Sequence, residues 1–371
     1  MSLRIALVSA DFAPNVGGVA AHVVELGRAL VALGHEVHVV TRPLGGMRDF
    51  HAEWRGMQVW RPRLPRAEPF YGWLLNRWLR GWLKRYPQDL LHVHGMRPLR
   101  ASRGLGLPVV FTNHTSGYLQ RIERGGRELA KIRRRLAHVG LVLAPSEELC
   151  EATRAAGYEG PVRYIPNGVD VQTFTPGSSD LRAGWSVGAD ETVVLLARRL
   201  VEKNGVVVFA EAATRLRGEP VRFVFAGDGP ERERVEQILE QGGVKRQSIL
   251  LGSVPNRLMV NVYRAADLSV LPSFKEATSI TGLESMACGL PLVGTRVGGI
   301  PDLVEEGETG LLVPPGDPQA MADALRELIT DPARRRAMGE RARARAEAHF
   351  AWERIAGRTV EAYAEVLGDR S

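Results

Sequence analysis

Residues 271–289, LPSFKEATSITGLESMACG, hold two glutamates, Glu276 and Glu284, with seven residues between them. The hydroxyl residues at 278, 279 and 281 favour a helix cap, and a helix is predicted over about 282–288. Backbone N–H groups at a helix start bind phosphate or sugar oxygens, and a carboxylate nearby accepts hydrogen bonds from sugar hydroxyls. A nucleotide-sugar presents both kinds of group, so this stretch predicts a site of that chemistry.

The same letters allow a plainer interpretation. Thr281 and Glu284 also match a capping box, in which Glu284 only completes the hydrogen bonding of its own helix. Glu276 can equally be a solvated carboxylate in a loop. The rest of the chain favours the binding site over this alternative.

Length and composition bound the class of protein. A chain of 371 residues with 44% hydrophobic and 25% charged residues suits two soluble domains with filled cores. The sequence has no apolar run of about 18 residues, and residues 1–8 read as a first strand and not as a signal peptide. Its two cysteines, Cys150 and Cys288, form no disulfide framework and no metal cluster, which favours a reducing cytoplasm.

The net charge of +7 is unevenly distributed. The first 170 residues carry 24 Lys and Arg against 14 Asp and Glu, a net charge of +10, and the remainder carries −3. A basic first half suggests an anionic partner for that half, namely an anionic lipid surface, an anionic acceptor or nucleic acid.

Short apolar runs alternate with amphipathic segments along the whole chain. Runs of this length suit strands buried on both faces of a parallel sheet, and the alternation implies right-handed β-α-β crossovers. Strands are predicted at 4–9, 36–41, 57–61, 90–94, 109–112, 141–144, 192–197, 222–227, 249–251, 268–272 and 292–295. Helices are predicted at 20–33, 206–216, 231–241 and 318–330.

A break rich in Pro, Gly, Asn and Ser at 166–179 separates two β-α series. We place an acceptor-side Rossmann-like domain at 1–168 and a nucleotide-sugar-binding Rossmann-like domain at 175–345. A final helix at 346–371 is expected to return to the first domain. Two such domains in series place a cleft between the carboxyl ends of their sheets, where ligands bind in such folds.

Two glycine-rich turns and one basic turn follow predicted strands. Gly17 and Gly18 open a helix after the first strand, where they could hold an anion or form a plain tight turn. The turn is not G-x-G-x-x-G, and the sequence contains no P-loop, so dinucleotide binding is a weak interpretation. Gly227 and Gly229 form a strand–turn–helix corner that would lie close to a ligand.

The basic turn begins directly after the strand at 192–197. Arg198 and Arg199 stand at its carboxyl end, and Lys203 follows a turn later. Cations in this position can neutralise a diphosphate leaving group, although a solvated basic turn is the alternative.

Taken together, these blocks resemble the retaining GT-B glycosyltransferases of family 4, which use nucleotide-sugars. The resemblance covers nearly the whole chain. It implies an α/β fold of two Rossmann-like domains facing across a cleft, and transfer of a hexosyl group from a nucleotide-diphosphate sugar to a hydroxyl. The blocks are, in order, PNVGGVAAHV, GHEVHVVT, DLLHVHG, VVFTNHT, IPNGVDVQTFTP, the Arg–Lys turn, AGDGPE, YRAADLSVLPS, the two-glutamate segment with SMACGLPLVGT, and GGIPDLVEEGETGLLVPPGD.

The resemblance also implies roles in the donor site. Glu284 would bind the ribose hydroxyls, and Glu276 would lie beside the donor sugar. Arg198 or Arg199, together with Lys203, would bind the diphosphate. Backbone N–H groups for the sugar and distal phosphate would come from Ala277, Thr278, Ser279 and Ile280.

In the first domain, the resemblance implies that His114 approaches the donor sugar, and that Gly17 and Gly18 lie near the phosphates and acceptor. His92 and His94 in DLLHVHG are interpreted as structural or as lining the cleft. Many family members have Glu-Gly-Phe-Gly where this chain has Glu-Ala-Thr-Ser at 276–279. A UDP-sugar is the favoured donor, and GDP-mannose is the next.

The mechanism that follows retains the configuration of the sugar. The acceptor hydroxyl attacks from the side that the diphosphate leaves, and cations with helix N–H groups stabilise the departing charge. The sequence shows no D-x-D cluster, so no metal and no cofactor besides the donor substrate are expected. Glycolipid or polysaccharide biosynthesis would be the setting.

A basic, tryptophan-bearing segment lies at 70–86. We expect Trp73, Trp78 and Trp82 on one side of a helix and Arg77, Arg80, Lys84 and Arg85 on the other. This pattern suits a helix lying on an anionic membrane surface, and a helix packed on the sheet with a solvated basic edge is the alternative. The first interpretation would put the protein at the inner face of the membrane.

Two rival functions remain at this point. A sugar-phosphate or small-molecule glycoside synthase would use the same fold with a different acceptor. A basic nucleic-acid-binding protein would explain the charge, but the sequence has no helix-turn-helix, zinc finger or aromatic RNA-binding pattern. No nucleic-acid partner is therefore expected.

Overall fold

The computed structural model describes residues 2–14, 17–43, 50–65, 70–114, 117–123 and 125–368. The chain forms two compact units, one of Met1–Gly168 with Trp352–Ser371 and the other of Val169–Ala351. Among the described residues, no helix is long and apolar enough to cross a membrane.

The first unit contains an eight-stranded sheet in the order β3-β4-β2-β1-β5-β6-β7-β8. Every pairing is parallel except that of β3 with β4. The central strands are short Val- and Leu-rich runs buried along most of their length, as expected for a sheet covered by helices on both faces. The strands are β1 (Arg4–Ser9), β2 (Glu36–Val40), β3 (Phe50–Trp54), β4 (Met57–Arg61), β5 (Leu90–His94), β6 (Val109–Thr112), β7 (Leu141–Ala144) and β8 (Val162–Tyr164).

The helices of this segment connect successive strands. Helix α1 follows β1 and buries Leu26 and Leu30 against the strand residues Leu7 and Val39. The helices are α1 (Gly18–Ala32), α2 (Phe70–Arg85), α3 (Met96–Leu99), α4 (Gly117–Glu123), α5 (Gly126–Leu136) and α6 (Glu147–Ala155).

The antiparallel strand β3 was not predicted. It forms a hairpin with β4 through a two-residue turn in which Arg55 and Gly56 both have positive φ, at 52° and 78°. Two positive φ values match the type I′ turn that suits the twist of paired strands. The sequence FHAEW is mostly exposed, and His and Glu interrupt its Phe, Ala and Trp, so the strand lacks the apolar run on which the other predictions rest.

The second unit contains a six-stranded, wholly parallel sheet in the order β11-β10-β9-β12-β13-β14. One face packs around Leu195 and Leu283, and the other packs around Phe209 and Val270. The strands are β9 (Thr192–Ala197), β10 (Val221–Ala226), β11 (Ser248–Gly252), β12 (Leu268–Leu271), β13 (Leu292–Thr295) and β14 (Gly310–Val313).

The helices of the second unit flank this sheet, and a π-helical turn at Ala346–Phe350 follows the last of them. They are α7 (Leu181–Gly184), α8 (Val206–Thr214), α9 (Arg232–Gln241), α10 (Asn256–Arg264), α11 (Ile280–Ala287), α12 (Ile300–Leu303), α13 (Pro318–Thr330) and α14 (Pro332–Arg345).

The last helix, α15 (Trp352–Leu367), groups with the first unit. Its buried side chains Trp352, Ile355 and Tyr363 belong to the first unit's core. The observed division falls at 168/169 and 351/352, whereas the predicted second domain ran from 175 to 345. Val169 bridges to Ala351, and both belong to the second unit's core, so these flanking residues fold with that unit.

All eleven predicted strands are present, with ends that differ by at most one residue. Besides β3, the short strands β8 and β14 were missed. The three-residue β8 and four-residue β14 are too brief for an apolar run to stand out from the turns beside them.

Candidate functional site

Two neighbouring parallel strands of the second unit bring distant charged residues together. Strand β9 pairs with β12, so their carboxyl ends lie at the same edge of the sheet. Arg198 follows β9 directly, and Glu276 lies five residues beyond the end of β12. Their side chains form an ion pair and are only 12% and 14% exposed. Glu276 is therefore not the solvated loop carboxylate of the plainer interpretation.

The two arginines of the basic turn differ in their surroundings. Arg198 is largely buried and bonds Glu276 through Nη2, whereas its buried Nη1 has no hydrogen-bond partner among the described residues. Arg199 is exposed. The structure thus brings Arg198 to the two-glutamate segment.

Lys203 lies on a short turn that two hydrogen bonds hold in place. The side-chain amide of Asn204 donates a hydrogen bond to the backbone carbonyl of Arg199 at 2.9 Å. The backbone N–H of Phe274 donates to the carbonyl of Lys203 at 2.9 Å. Lys203 itself is exposed, so its ammonium group is available to solvent or ligand at this edge.

Gly205 makes this connection possible. Its φ is +64°, and a Cβ atom there would lie 1.7 Å from the backbone oxygen of Pro272. Only glycine allows the turn to approach the segment after β12 this closely.

The turn that contains Gly227 and Gly229 lies beside the basic turn. The backbone N–H of Arg198 donates to Ala226 O, and that of Leu200 donates to Asp228 O, both at 3.0 Å. The structure therefore brings the predicted glycine corner and the basic turn together.

Helix α11 begins earlier than predicted, at Ile280, and its cap is Ser279. The Ser279 hydroxyl accepts a hydrogen bond from the backbone N–H of Gly282 at 3.1 Å. Because Ser279 caps the helix, Thr281 is not the capping residue and the capping-box interpretation of Glu284 is wrong.

Residues 277–280 form the short segment between Glu276 and α11. Thr278 and Ser279 are buried, while Ala277 and Ile280 are partly buried. The backbone N–H of Ala277 donates to the Glu276 carboxylate at 3.2 Å. In this structure, that N–H is therefore engaged by Glu276.

Glu284 is 5% exposed and is held by two side chains from α10. The Tyr263 hydroxyl donates a hydrogen bond to Oε2 at 2.7 Å, and the Asn256 amide donates to Oε1 at 3.3 Å. Burial raises the pKa of Glu284 to about 7, and the two hydrogen bonds oppose this shift. The carboxylate is thus fixed in direction but only partly ionised at neutral pH.

Tyr263 and Asn256 are functional candidates that the sequence analysis did not assign. Tyr263 begins the block YRAADLSVLPS, which was quoted only as part of the resemblance. A polar residue buried on an otherwise apolar face of α10 was the available signal, because such groups normally have a partner. The partner could not be named from the sequence alone.

In the first unit, three histidines come together. His22 is on α1, His94 is the last residue of β5, and His114 lies two residues beyond β6. Suitable ring nitrogens of all three lie within 4.8 Å of one another. Gly17 caps α1 and Gly18 begins it, so these glycines precede His22 on the same helix.

Hydrogen bonds fix the orientation of this histidine cluster. His22 Nδ1 lies 2.8 Å from Asn167 Oδ1, and His94 Nδ1 lies 3.0 Å from His114 Nε2. Burial lowers the pKa of His22 to about 4 and holds the pKa values of His94 and His114 well below the usual range. All three imidazoles are therefore neutral at pH 7.

His92 has a different environment from its neighbour His94. Its Nδ1 lies 2.7 Å from the Tyr363 hydroxyl, and its Nε2 lies 2.6 Å from Thr112 Oγ1. Both ring nitrogens are used within the core, which is a structural role.

The prediction for the tryptophans of α2 was wrong. Trp82 is 5% exposed and stacks on Trp78, with 5.7 Å between the ring centroids, whereas Trp73 is 60% exposed. Trp73 and Trp82 are nine residues apart, which places them on opposite sides of a helix with 3.6 residues per turn. Trp73 instead shares an exposed face with Phe70, Arg77, Arg80 and Lys84.

Family models match both units. The model of glycosyl transferases group 1 matches residues 179–345, and that of Glycosyltransferase Family 4 matches residues 16–173. The D-inositol 3-phosphate glycosyltransferase of Xylanimonas cellulosilytica is 29% identical over 99% of this chain and 98% of its own. One subunit of the Arabidopsis thaliana phosphatidylinositol N-acetylglucosaminyltransferase is 30% identical over 88% of this chain and 74% of its own.

Solved structures are similar to the chain along almost its whole length. Sucrose-phosphate synthase from Thermosynechococcus elongatus has a TM-score of 0.83 and 26% identity, covering 98% of each chain. Anabaena HepE in complex with UDP-glucose has a TM-score of 0.77 and 21% identity, covering 98% of this chain and 99% of its own.

Together with the fold of the two units, these similarities identify the chain as a glycosyltransferase with the GT-B type of fold. The chain belongs to glycosyltransferase family 4.

Proposed function

We propose that this glycosyltransferase moves a hexosyl group, with retention of configuration, from a nucleotide-diphosphate sugar to a hydroxyl of a phosphate-bearing acceptor. UDP-sugar is the preferred donor, and GDP-mannose is the next candidate. HepE, which shares the fold, was solved with UDP-glucose. The names of the other three proteins include inositol 3-phosphate, phosphatidylinositol and sucrose-phosphate, and the basic first half of this chain suits an acceptor with such an anionic group.

The observation that carries the donor proposal is the buried carboxylate of Glu284. Its two oxygens are already oriented by Tyr263 and Asn256, and burial leaves it only partly ionised. Hydroxyl donors from a ribose would favour its charged form. A perturbed carboxylate on the helix that follows a strand's carboxyl end is typical of a binding site.

The diphosphate would be held by the basic turn. Arg198 Nη1 is a buried donor without a partner among the described residues, and such a donor costs about 1–3 kcal/mol until it is satisfied. A phosphate oxygen would satisfy it, and the exposed Lys203 would add a second positive charge.

During transfer, a bond forms between the acceptor oxygen and the anomeric carbon as the bond from that carbon to the distal phosphate oxygen breaks. The acceptor proton passes to the departing phosphate oxygen on the same face of the sugar. Arg198 and Lys203 stabilise the charge that develops on the diphosphate, which makes a divalent metal unnecessary for this step.

Nucleotide binding tests the donor proposal. In EDTA, UDP should raise the melting temperature of the wild-type protein more than GDP or ADP does, because a ligand of the folded state stabilises it by mass action. Glu284→Gln should weaken UDP binding about 10- to 100-fold, the size expected for hydrogen bonds to a charged group. Glu233→Gln, at an exposed position on α9, serves as the matched control.

Equal UDP affinity in the wild type and Glu284→Gln would contradict the assigned role of Glu284. An absolute need for Mg²⁺, or a product of inverted configuration by NMR, would contradict the mechanism.

The exposed face of α2 supports a membrane-bound source of acceptor. Phe70 and Trp73 are 63% and 60% exposed, and Arg77, Arg80 and Lys84 continue the same face. Aromatic side chains with neighbouring cations suit an anionic membrane interface, so we include contact with such a surface in the proposal.

Co-sedimentation with phosphatidylglycerol vesicles at low salt tests this contact. The paired change Phe70→Ala and Trp73→Ala should reduce the bound fraction, whereas Phe274→Ala, at an exposed aromatic of the second unit, should not. Wild-type protein that stays in the supernatant would contradict the contact and favour the alternative, a soluble sugar-phosphate or small-molecule acceptor.

A further inference from the structure

The histidine cluster of the first unit has the composition of a metal site. His22, His94 and His114 each offer a ring nitrogen, and these atoms lie within 4.8 Å of one another. Ligands at about 2.0–2.1 Å around a tetrahedral zinc ion are about 3.3 Å apart. His94 Nδ1 and His114 Nε2 are already 3.0 Å apart, close to that separation.

Neighbouring residues leave the cluster prepared to accept an ion. His22 Nδ1 bonds Asn167 Oδ1 at 2.8 Å; an amide oxygen only accepts, so Nδ1 carries the proton and Nε2 keeps its lone pair. A second partner that fixes the tautomer in this way is a regular feature of histidines that bind metals.

His94 contacts His114 of the cluster through Nδ1. The residue is 1% exposed, and its Nε2 has no hydrogen-bond partner among the described residues. Nδ1, which faces His114, is therefore the nitrogen of His94 that an ion in the cluster would take. By contrast, both nitrogens of the neighbouring His92 are bonded within the core.

The ligand set selects the class of metal. The cluster has three imidazoles, and no carboxylate or thiol belongs to it among the described residues. Imidazole suits Zn²⁺, Ni²⁺, Cu²⁺ and Co²⁺, whereas Mg²⁺ and Ca²⁺ require oxygen ligands. Three histidines also leave a fourth tetrahedral position open.

We propose that His22, His94 and His114 form a binding site for a first-row transition-metal ion, with Zn²⁺ the favoured occupant. Binding replaces the hydrogen bond between His94 and His114 by two coordinate bonds, with small rotations of the two rings. Asn167 acts as a positioning residue that holds His22. All four residues belong to the first unit, and metal binding needs neither the donor nor the transfer reaction.

The site has a consequence for the proposed function. The family resemblance implies that His114 approaches the donor sugar, and a coordinated His114 cannot do so. Zn²⁺ should therefore inhibit transfer, and EDTA should reverse the inhibition. This consequence rests on the proposed function, whereas metal binding itself does not.

Co²⁺ provides a direct probe because tetrahedral Co²⁺ has visible absorption bands that are much stronger, and lie at longer wavelengths, than those of the pink hexahydrated ion. Titration of the metal-free protein should give such bands with saturation at one ion per chain, and Zn²⁺ should displace Co²⁺. His22→Ala and His114→Ala should each abolish the bands. Asn167→Ala should weaken Co²⁺ binding about 10- to 100-fold, as is usual when a partner of a metal-bound histidine is lost.

His349→Ala is the matched control because His349 is exposed and lies outside the cluster. Melting curves in EDTA establish that each variant is folded, and the half-buried His114 is the position expected to tolerate alanine best. No tetrahedral spectrum, or a spectrum that persists in both His22→Ala and His114→Ala, would overturn the proposal. Intact Co²⁺ binding with no transferase activity would leave this site standing while the proposed function failed.

Discussion

At the scale of single residues, Glu284 illustrates how burial and hydrogen bonding oppose each other. Burial raises the pKa of its carboxyl to about 7, and the bonds from Tyr263 and Asn256 limit that rise. The sequence identified Glu284 but not these partners, which lie 21 and 28 residues earlier in the chain. The tertiary packing of α10 against α11 decides which α10 side chains reach Glu284, and no local sequence pattern shows this packing.

The pKa of Glu284 makes stability depend on pH. The folded protein binds a proton here at a pH where an exposed glutamate, with its ordinary pKa of 4.5, does not. Proton binding at Glu284 therefore stabilises the folded state by about 3 kcal/mol below about pH 4.5, and this stabilisation is lost as the pH rises to about 7 and above. The free energy of unfolding in urea should therefore fall for the wild type, relative to Glu284→Gln, as the pH rises from 4.5 to 8. A difference that does not vary with pH would contradict the shift.

Tyr263 should act on nucleotide binding through Glu284. Removing its hydroxyl raises the pKa of Glu284 further, because that hydrogen bond stabilises the charged form. Tyr263→Phe should weaken UDP binding about tenfold or more at pH 7 and less at pH 9. Calorimetric titration across this range provides the measurement. An equal loss at every pH would indicate packing alone, and Tyr158→Phe, which removes a partly buried tyrosine hydroxyl elsewhere, is the control.

At the scale of secondary-structure elements, the parallel strands were predictable because each is a compact apolar run between turns. The helix faces of α2 were not assigned correctly, since the sequence alone gave no position for the sheet beneath. The structure buries Leu75, Leu79 and Trp82, which defines the opposite, exposed face that contains Trp73. The strand order, including the pairing of β9 with β12, was not predicted, because alternation of strands and helices does not specify which strands are neighbours.

The turn at Gly205 provides a prediction about an element connection. Gly205→Ala places Cβ against the backbone oxygen of Pro272 and keeps a positive φ. We therefore expect the free energy of unfolding to fall by at least about 2 kcal/mol. Thermal unfolding of the second unit would measure it. Gly184→Ala is the matched control, because no atom lies within 4 Å of its added Cβ and the site is helical. Equal stability of the two variants would contradict the close approach.

At the scale of the whole molecule, the two units differ in how the chain builds them. The second unit is one continuous segment, Val169–Ala351, whereas the first unit also uses Trp352–Ser371. Composition and the break at 166–179 indicated two domains, and the structure moved their boundaries by a few residues. The flanking residues join the second unit because their apolar side chains, such as Phe174 and Phe350, pack in its core.

This arrangement predicts which unit a change in α15 affects. Tyr363 is fully buried in the first unit and bonds His92. Tyr363→Ala should destabilise that unit by about 3–5 kcal/mol, the usual cost of removing a large buried aromatic. Hydrogen exchange should accelerate in β1, β5 and β6 and stay unchanged in β9 and β10. Equal acceleration in both sheets would contradict the division into units.

Helix α15 follows the second unit in the sequence, yet it completes the core that β1 begins. During translation, the strands of the first unit leave the ribosome well before this helix does. The second unit has its whole sequence available earlier, because Ala351 precedes the helix. The unit whose strands are synthesised first is therefore completed after the second unit, and Leu7 must avoid other partners until α15 has left the ribosome.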